Sequence, residues 1–449
     1  MKLPLLSALF LSLPLALAAC DACKQKEAAA IPGSVAMRFD GFGADNPGGR
    51  GGRVIKVTTL AAEGEGSFKA ALEAEGARII VFEVGGIIDW RQSDMFVKNG
   101  RLTIAGETAP SPGITIIRGS LNIHASNVIV RHIRVRSGDG ADLKKPNFEI
   151  DSITASGPDA RDILFDHCST AWAIDENLSV SGPRVKDGTA ARVTLRNCLI
   201  AEGIDNSTHT KGPHSKGTLI HDFVRDVAIV GCFYAHNFNR HPYIKPNASV
   251  FMANNLIYNP GNAAIHFAYT PKEYNTIPHP MLPSDLTMIG TVYRMGASTK
   301  SNIPLISCSP AATMAAPVGN YYERDSIVYA KDGAVLWSET NNKDVAWFSD
   351  PRLTRVGQSR VAPKNFTPLP ASQTEAYVLK NAGARPKDRD SVDARVVADY
   401  IARQGRIIDS QDEVGGYPKS PETRRALNVP ASSEAVEKWL ESYRREVEY

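Results

Sequence analysis

The chain has 449 residues, 43% of them hydrophobic, and a formal net charge of +3. That length can bury a sizeable core, and the composition is ordinary for a globular protein. So mild a charge argues against a nucleic-acid partner, and the sequence holds no arginine-rich run or RNA-binding motif.

Residues 1–19 begin with Lys2 and continue as a largely apolar run, the pattern of an export signal. The run is too short for a comfortable membrane span. It ends in Leu17-Ala18-Ala19-Cys20, which is similar to a bacterial lipoprotein box. Cys20 is therefore the expected lipidation site, giving a protein anchored by lipid alone and facing the periplasm or the cell surface. Cleavage after nearby small residues, with secretion, is the alternative. Residues 20–36 are small and polar and read as a flexible tether. Residues 66–73 read as a short helix with Ser67 as its N-cap, a suitable cover for the open end of a solenoid. Strands are expected over 78–84, 102–105, 113–117 and 121–123.

Six stretches then repeat one pattern, starting at Asn127, Asp162, Arg192, Asp226, Ser249 and Asp285. Position two is branched and aliphatic in each, and position four is apolar. Position six is His132, His167, Asn197, Gly231, Asn254 or Gly290. Glycine accepts positive φ freely, and asparagine and histidine do so more often than most residues. Each repeat thus reads as a short strand, one left-handed bend and a second short strand. The starts are separated by 23 to 36 residues, as expected of a solenoid whose insertions map to loops. The fold expected is all-β: a right-handed, single-stranded parallel β-helix with an N-terminal capping helix. A β-sandwich gives no reason for the bend to recur at one phase. Cys168, Cys198 and Cys232 share position seven and should stack inside the coil as small hydrophobes. The β-helix is expected over 37–325. A C-terminal extension, 326–449, should pack along its outside, with helices over 389–403 and 432–448.

Several strings in order resemble polysaccharide lyase family 1, the pectate lyases. Among them are Gly49-Arg50-Gly51-Gly52, Val81-Phe82-Glu83-Val84-Gly85-Gly86, Asp166-His167-Cys168, Asp175-Glu176 and Val414-Gly415-Gly416-Tyr417-Pro418. The resemblance runs from about residue 41 to about residue 418. It implies a calcium-dependent lyase that cleaves an acidic polysaccharide, polygalacturonate by default, by β-elimination. The only partner it implies is the polymer, and the protein is expected to be a monomer.

Arg240-His241-Pro242-Tyr243-Ile244-Lys245 follows the family pattern of Arg, any, Pro, two more and a basic residue. By this resemblance Arg240 is the base and Lys245 a substrate ligand; the alternative is an Arg240 that only binds carboxylate. Lysine at 245 departs from the usual arginine and loses its bidentate fork. Glu149 and Asp151 alternate on one strand and can converge on a cation. With Asp175 they occupy the family's calcium positions, and Ser179 stands where a fourth acid is common. Lys211 and Lys216, in a glycine-rich loop, suit a polyuronate; the alternative is an ordinary solvated loop. Two other classes of function compete: a polygalacturonase-type hydrolase, whose characteristic strings are absent, and a noncatalytic glycan-binding surface lipoprotein.

Overall fold

In the computed structural model the described residues are 32–269, 279–301, 303–309 and 318–449. The expected signal and Cys20 lie outside them. Short strands coil into a parallel β-helix with three faces. The first face is an eleven-stranded parallel ladder running from Arg53–Val57 to Leu353–Arg355. The second face takes the other half of each repeat, from Ile133–Arg136 to Ile327–Tyr329. The third face runs from Ile153–Ser156 through Leu178–Ser181, Leu219–Ile220, Tyr243–Ile244 and Ile265–Phe267 to Ile306–Cys308. Two long strands, Val84–Val97 and Ile114–Ile123, turn the corner between the second and third faces. The segments expected at 113–117 and 121–123 are therefore one strand.

All six expected bends are left-handed, with φ between 50° and 65°. Inside the coil, positions two, four, seven and nine stack on their counterparts one coil away. Cys168, Cys198 and Cys232 are buried there as free thiols. The ladder continues beyond 325, where the sequence pattern fades: Gly319–Arg324 pairs with both Ser284–Ile289 and Leu353–Arg355. Tyrosine, glutamate and arginine on those strands obscure the apolar phase.

Helix α1 (Phe68–Glu73) is capped by Ser67, whose hydroxyl accepts from Ala70 N at 3.2 Å. Its Phe68 packs on Phe82 and Trp90 at the coil's end. Helices α2 (Ala371–Asn381) and α3 (Ser391–Ala402) cover the second face, with Tyr377, Val378, Val396 and Tyr400 against Phe233, Leu256 and Val292. Helix α4 (Ser433–Val447) sets Val436 and Leu440 on Ile79, Val81 and Ala105 of the first face.

Candidate functional site

The turn that leads into the third face falls at the same place in four successive coils, and charged residues collect there. Asp151 precedes Ile153–Ser156, Glu176 precedes Leu178–Ser181, Lys216 precedes Leu219–Ile220, and Arg240 precedes Tyr243–Ile244. The turns stack through their backbones: Ser152 N donates to Glu176 O at 3.0 Å, Asn177 N to Lys216 O at 3.3 Å, and Thr218 N to Arg240 O at 2.6 Å. A β-carbon at Gly217 would sit 2.3 Å from the Arg240 carbonyl oxygen, so only glycine allows this approach. Coils about 4.8 Å apart thus bring together side chains that are tens of residues apart in sequence.

Asp151 is held by its own turn. Its Oδ1 accepts from Glu176 N at 2.9 Å and its Oδ2 from the Thr154 hydroxyl at 2.7 Å. Burial, reinforced by the negative Asp175, pushes its carboxyl up to about 8. Asp175 moves the other way. Burial opposes its ionisation, but contact with His214 and the positive charges of His214, Arg240 and His209 outweigh this and bring it down to about 2. Neighbouring carboxyls driven apart in this way mark sites that handle charge.

Arg240 contacts Glu176 through its guanidinium and comes within 4.0 Å of Asp175 Oδ1. Its φ is +70°, one of the many left-handed positions at the corners of the coil. Tyr243 lies under both Arg240 and Lys245, at 5.1 and 5.5 Å, and stacks on His266 at 4.3 Å. Lys216 is buried, with its ammonium 5.8 Å from the Phe238 ring, and burial lowers its pKa.

Of the residues singled out from sequence, Asp151, Asp175, Lys216 and Arg240 meet on this line of turns, with Lys245 just after the next strand. Lys211 is exposed on the outer part of its loop. Glu149 lies apart: Thr210 binds its carboxylate through amide and hydroxyl, and His209 Nδ1 is 3.4 Å away. The third carboxylate of the group is instead Glu176. Oxygens of Asp151, Asp175 and Glu176 lie within 4.8 Å of one another. Ser179 pairs with Thr154 one coil away and brings no charge. Three convergent carboxylates, of which Asp175 is partly exposed, suit a hard cation such as calcium, whose shell carbonyls, water or substrate would complete.

The sequence strings do not single out His209 and His214, which lie in the same loop as Lys211 and Lys216. Their rings stack, centroids 3.7 Å apart, and both reach Asp175. Burial and the proximity of His214 lower the pKa of His209. A cleft of about 820 Å³ lies nearer the N-terminal end and includes Trp90, Asp94, Phe96 and Lys98. Asp94 pairs with Ser120, one coil before Asp151, so that cleft adjoins the line of charges.

No family model matches the chain. Among curated relatives, a probable pectate lyase C of Aspergillus flavus is 31% identical over 390 residues, covering 86% of this chain and 81% of the relative. A probable pectate lyase C of Aspergillus fumigatus is 32% identical over the same shares. Among solved structures, the cedar pollen allergen Jun a 1 aligns with a TM-score of 0.49 at 16% identity, over 78% of this chain and 93% of its own. A pectate lyase bound to a hexasaccharide aligns with a TM-score of 0.49 at 14% identity, over 78% and 98%.

Proposed function

We propose, for a chain that belongs to the pectate lyase family and is therefore a polysaccharide lyase, that it cleaves polygalacturonate or a similar acidic polysaccharide by calcium-assisted β-elimination. The observation that carries this reading is the single line of turns placing Asp151, Asp175 and Glu176 beside Lys216 and Arg240.

In the elimination the C5–H bond breaks and its electron pair forms the C4=C5 double bond. The C4–O bond breaks, and the leaving oxygen takes a proton. Arg240 is the group we assign to the C5 proton. An arginine accepts a proton only from its neutral form. Withdrawal of Glu176 from Arg240 and nearby positive charge both favour that form. Glu176 is thus shared between Arg240 and the carboxylate set. Calcium held by Asp151, Asp175 and Glu176 would supply the charge that neutralises a uronate carboxylate and makes the carbanion tolerable. Lys216 and Lys245 hold further carboxylates of the polymer, Lys245 as a point charge without arginine's fork. The Tyr243 ring offers a flat apolar surface beneath Arg240 and Lys245. Part of the same reading is an exported monomer tethered through lipid on Cys20; mature protein that carries no lipid by mass spectrometry removes the tether. Among the described residues no helix is long and apolar enough to cross a membrane.

The test is a panel of acidic polysaccharides, with and without calcium, followed by ultraviolet absorbance of the new double bond. The expected result is calcium-dependent absorbance on polygalacturonate. Asp151→Asn and Asp175→Asn should raise the calcium requirement and leave the fold intact. Full activity of both variants in excess chelator removes the metal assignment. Saturated fragments in place of unsaturated ones transfer the protein to the hydrolases.

A further inference from the structure

We propose that Asp175, His209 and His214 form a second cation site, built from nitrogen and oxygen donors, that takes a borderline transition metal such as Zn²⁺, Co²⁺ or Ni²⁺. The site goes beyond the calcium reading. It shares one carboxylate with the oxygen set, but its other two donors are imidazoles.

Both histidines come from one loop, with four residues between them, a spacing found in chelating histidine pairs. The loop is tied at its base: His214 N donates to Asp205 O at 2.8 Å and Ser215 N to Asp205 Oδ1 at 3.1 Å. Stacking turns the two Nε2 atoms towards one carboxylate, His214 Nε2 at 2.9 Å from Asp175 Oδ1 and His209 Nε2 at 3.6 Å from Oδ2. The side chains are 7% and 1% exposed. His214 Nε2 faces Asp175 at ion-pair distance, whereas His209 Nε2 has no hydrogen-bond partner. Buried polar atoms are rarely left so. A proton shared by His214 and Asp175 would account for the closer nitrogen alone. It gives no reason for a second imidazole to face the same carboxylate.

One ligand atom from each of the three residues lies within 4.8 Å of the others, so all three reach a common point after small rotations. Asp175 has 27% of its side chain exposed, which leaves a way in from the groove. Imidazole with carboxylate suits zinc, cobalt or nickel, whereas calcium prefers oxygen throughout. The ring behind the site also has a partner. His209 Nδ1 lies 3.4 Å from Glu149 and 3.0 Å from Lys211 N. A metal on Nε2 requires the proton on Nδ1, where Glu149 accepts it and the Lys211 amide must turn away. That carboxylate–histidine pairing orients many metal ligands, and it gives Glu149 a role outside the oxygen set.

Cobalt is the probe, added to the purified full-length protein without substrate. The expected result is a visible d–d band characteristic of nitrogen ligation and Co²⁺ affinity about 100-fold above that for Ca²⁺. The pair His209→Gln with His214→Gln should lose the band and weaken Co²⁺ at least tenfold, with Ca²⁺ affinity unchanged. Glu149→Gln should weaken Co²⁺ roughly 10–100-fold. Co²⁺ that binds no more tightly than Ca²⁺, or equally well in the paired variant, overturns the site. If the paired variant fails to fold, cobalt-shifted imidazole NH resonances in the wild type decide: their absence overturns the proposal and their presence supports it. Because binding is read without substrate, failure of the lyase reading leaves this result unaffected.

Discussion

Two histidine–carboxylate clusters sit on neighbouring parts of this coil, and their contrast separates structure from chemistry. Both contain two stacked imidazoles and an acid. In the first, His132 and His167 are successive bend residues with ring centroids 5.1 Å apart, and Glu448 arrives from the end of the chain. His132 reaches Ala384 O at 2.5 Å and Glu448 at 3.1 Å; His167 reaches Asp166 at 3.0 Å and Asn197 at 3.3 Å. Every ring nitrogen has a partner and every member is buried. In the second, His209 and His214 face one partly exposed carboxylate, Asp175, and His209 Nε2 is left without a hydrogen bond. The same side chains thus make a clasp where the C-terminal strap seals them and a site where their carboxylate stays partly exposed. Satisfaction of hydrogen bonds, more than residue type, tells the two apart.

The largest expected effect tests the open side of this contrast. Arg240→Lys should lower turnover on polygalacturonate by about 10²–10⁴-fold, the usual cost of losing a general base. Calcium-dependent binding of the polymer should survive, and so should the melting temperature. Separate measurement of turnover and binding discriminates: near-normal turnover with weakened affinity would return Arg240 to a carboxylate-binding role.

Much of the fold could be read from sequence, because one bend in each repeat carries residues that tolerate positive φ. The coil in fact has further left-handed positions. Asn127, Asp162, Arg192 and Asp226 open their repeats with φ of 54–59°, and Trp172, Glu202, His236 and Asn259 close theirs with φ of 51–67°. Asparagine, aspartate and histidine hold five of these eight corners, but arginine, tryptophan and glutamate at the other three have no left-handed preference and break the pattern. They are imposed by the stacking of coils. The candidate site divides in the same way. Asp151, Asp175 and Arg240 could be singled out because local strings survive in order. Glu176 against Arg240, and His209 and His214 against Asp175, could not. Their proximity depends on turns at 176, 216 and 240 falling in register, which is set by loop length and by Gly217. Glu448 was equally invisible, since it meets a bend residue 316 positions away.

Breaking the sealed cluster should cost stability and spare chemistry. Glu448→Ala takes the acid from buried His132 and leaves buried His167 with Asp166 alone, and removing one partner of a buried ionic group typically costs about 3–5 kcal/mol. Chemical denaturation should show a loss of about 3 kcal/mol, while turnover per folded molecule stays within twofold of wild type. A loss of turnover in fully folded Glu448→Ala protein would mean that the two clusters are coupled, and the distinction between clasp and site would fail.

The smallest effect is also the most specific, because it removes charge and keeps shape. In Glu448→Gln the side chain still fills its place. Burial alone would raise the Glu448 carboxyl, but the charge of His167 and the bond to His132 hold it well below the usual carboxylate range. Its contribution is therefore present above the unfolded value of about 4.3 and is lost as pH falls through the lower folded value. Burial opposes the charged form of His167, yet Glu448 and Asp166 raise its pKa. That contribution is complete below the unfolded value of about 6.5 and is lost as pH rises through the higher folded value. The stability gap between wild type and Glu448→Gln should therefore be widest between about pH 4.3 and 6.5 and should narrow on both sides. On the alkaline side the gap should close as pH rises through the raised folded value of His167. Paired denaturation curves from pH 4 to 8.5 measure it. A gap independent of pH would show that Glu448 holds the strap by packing alone, and the sealed cluster would lose its ionic character.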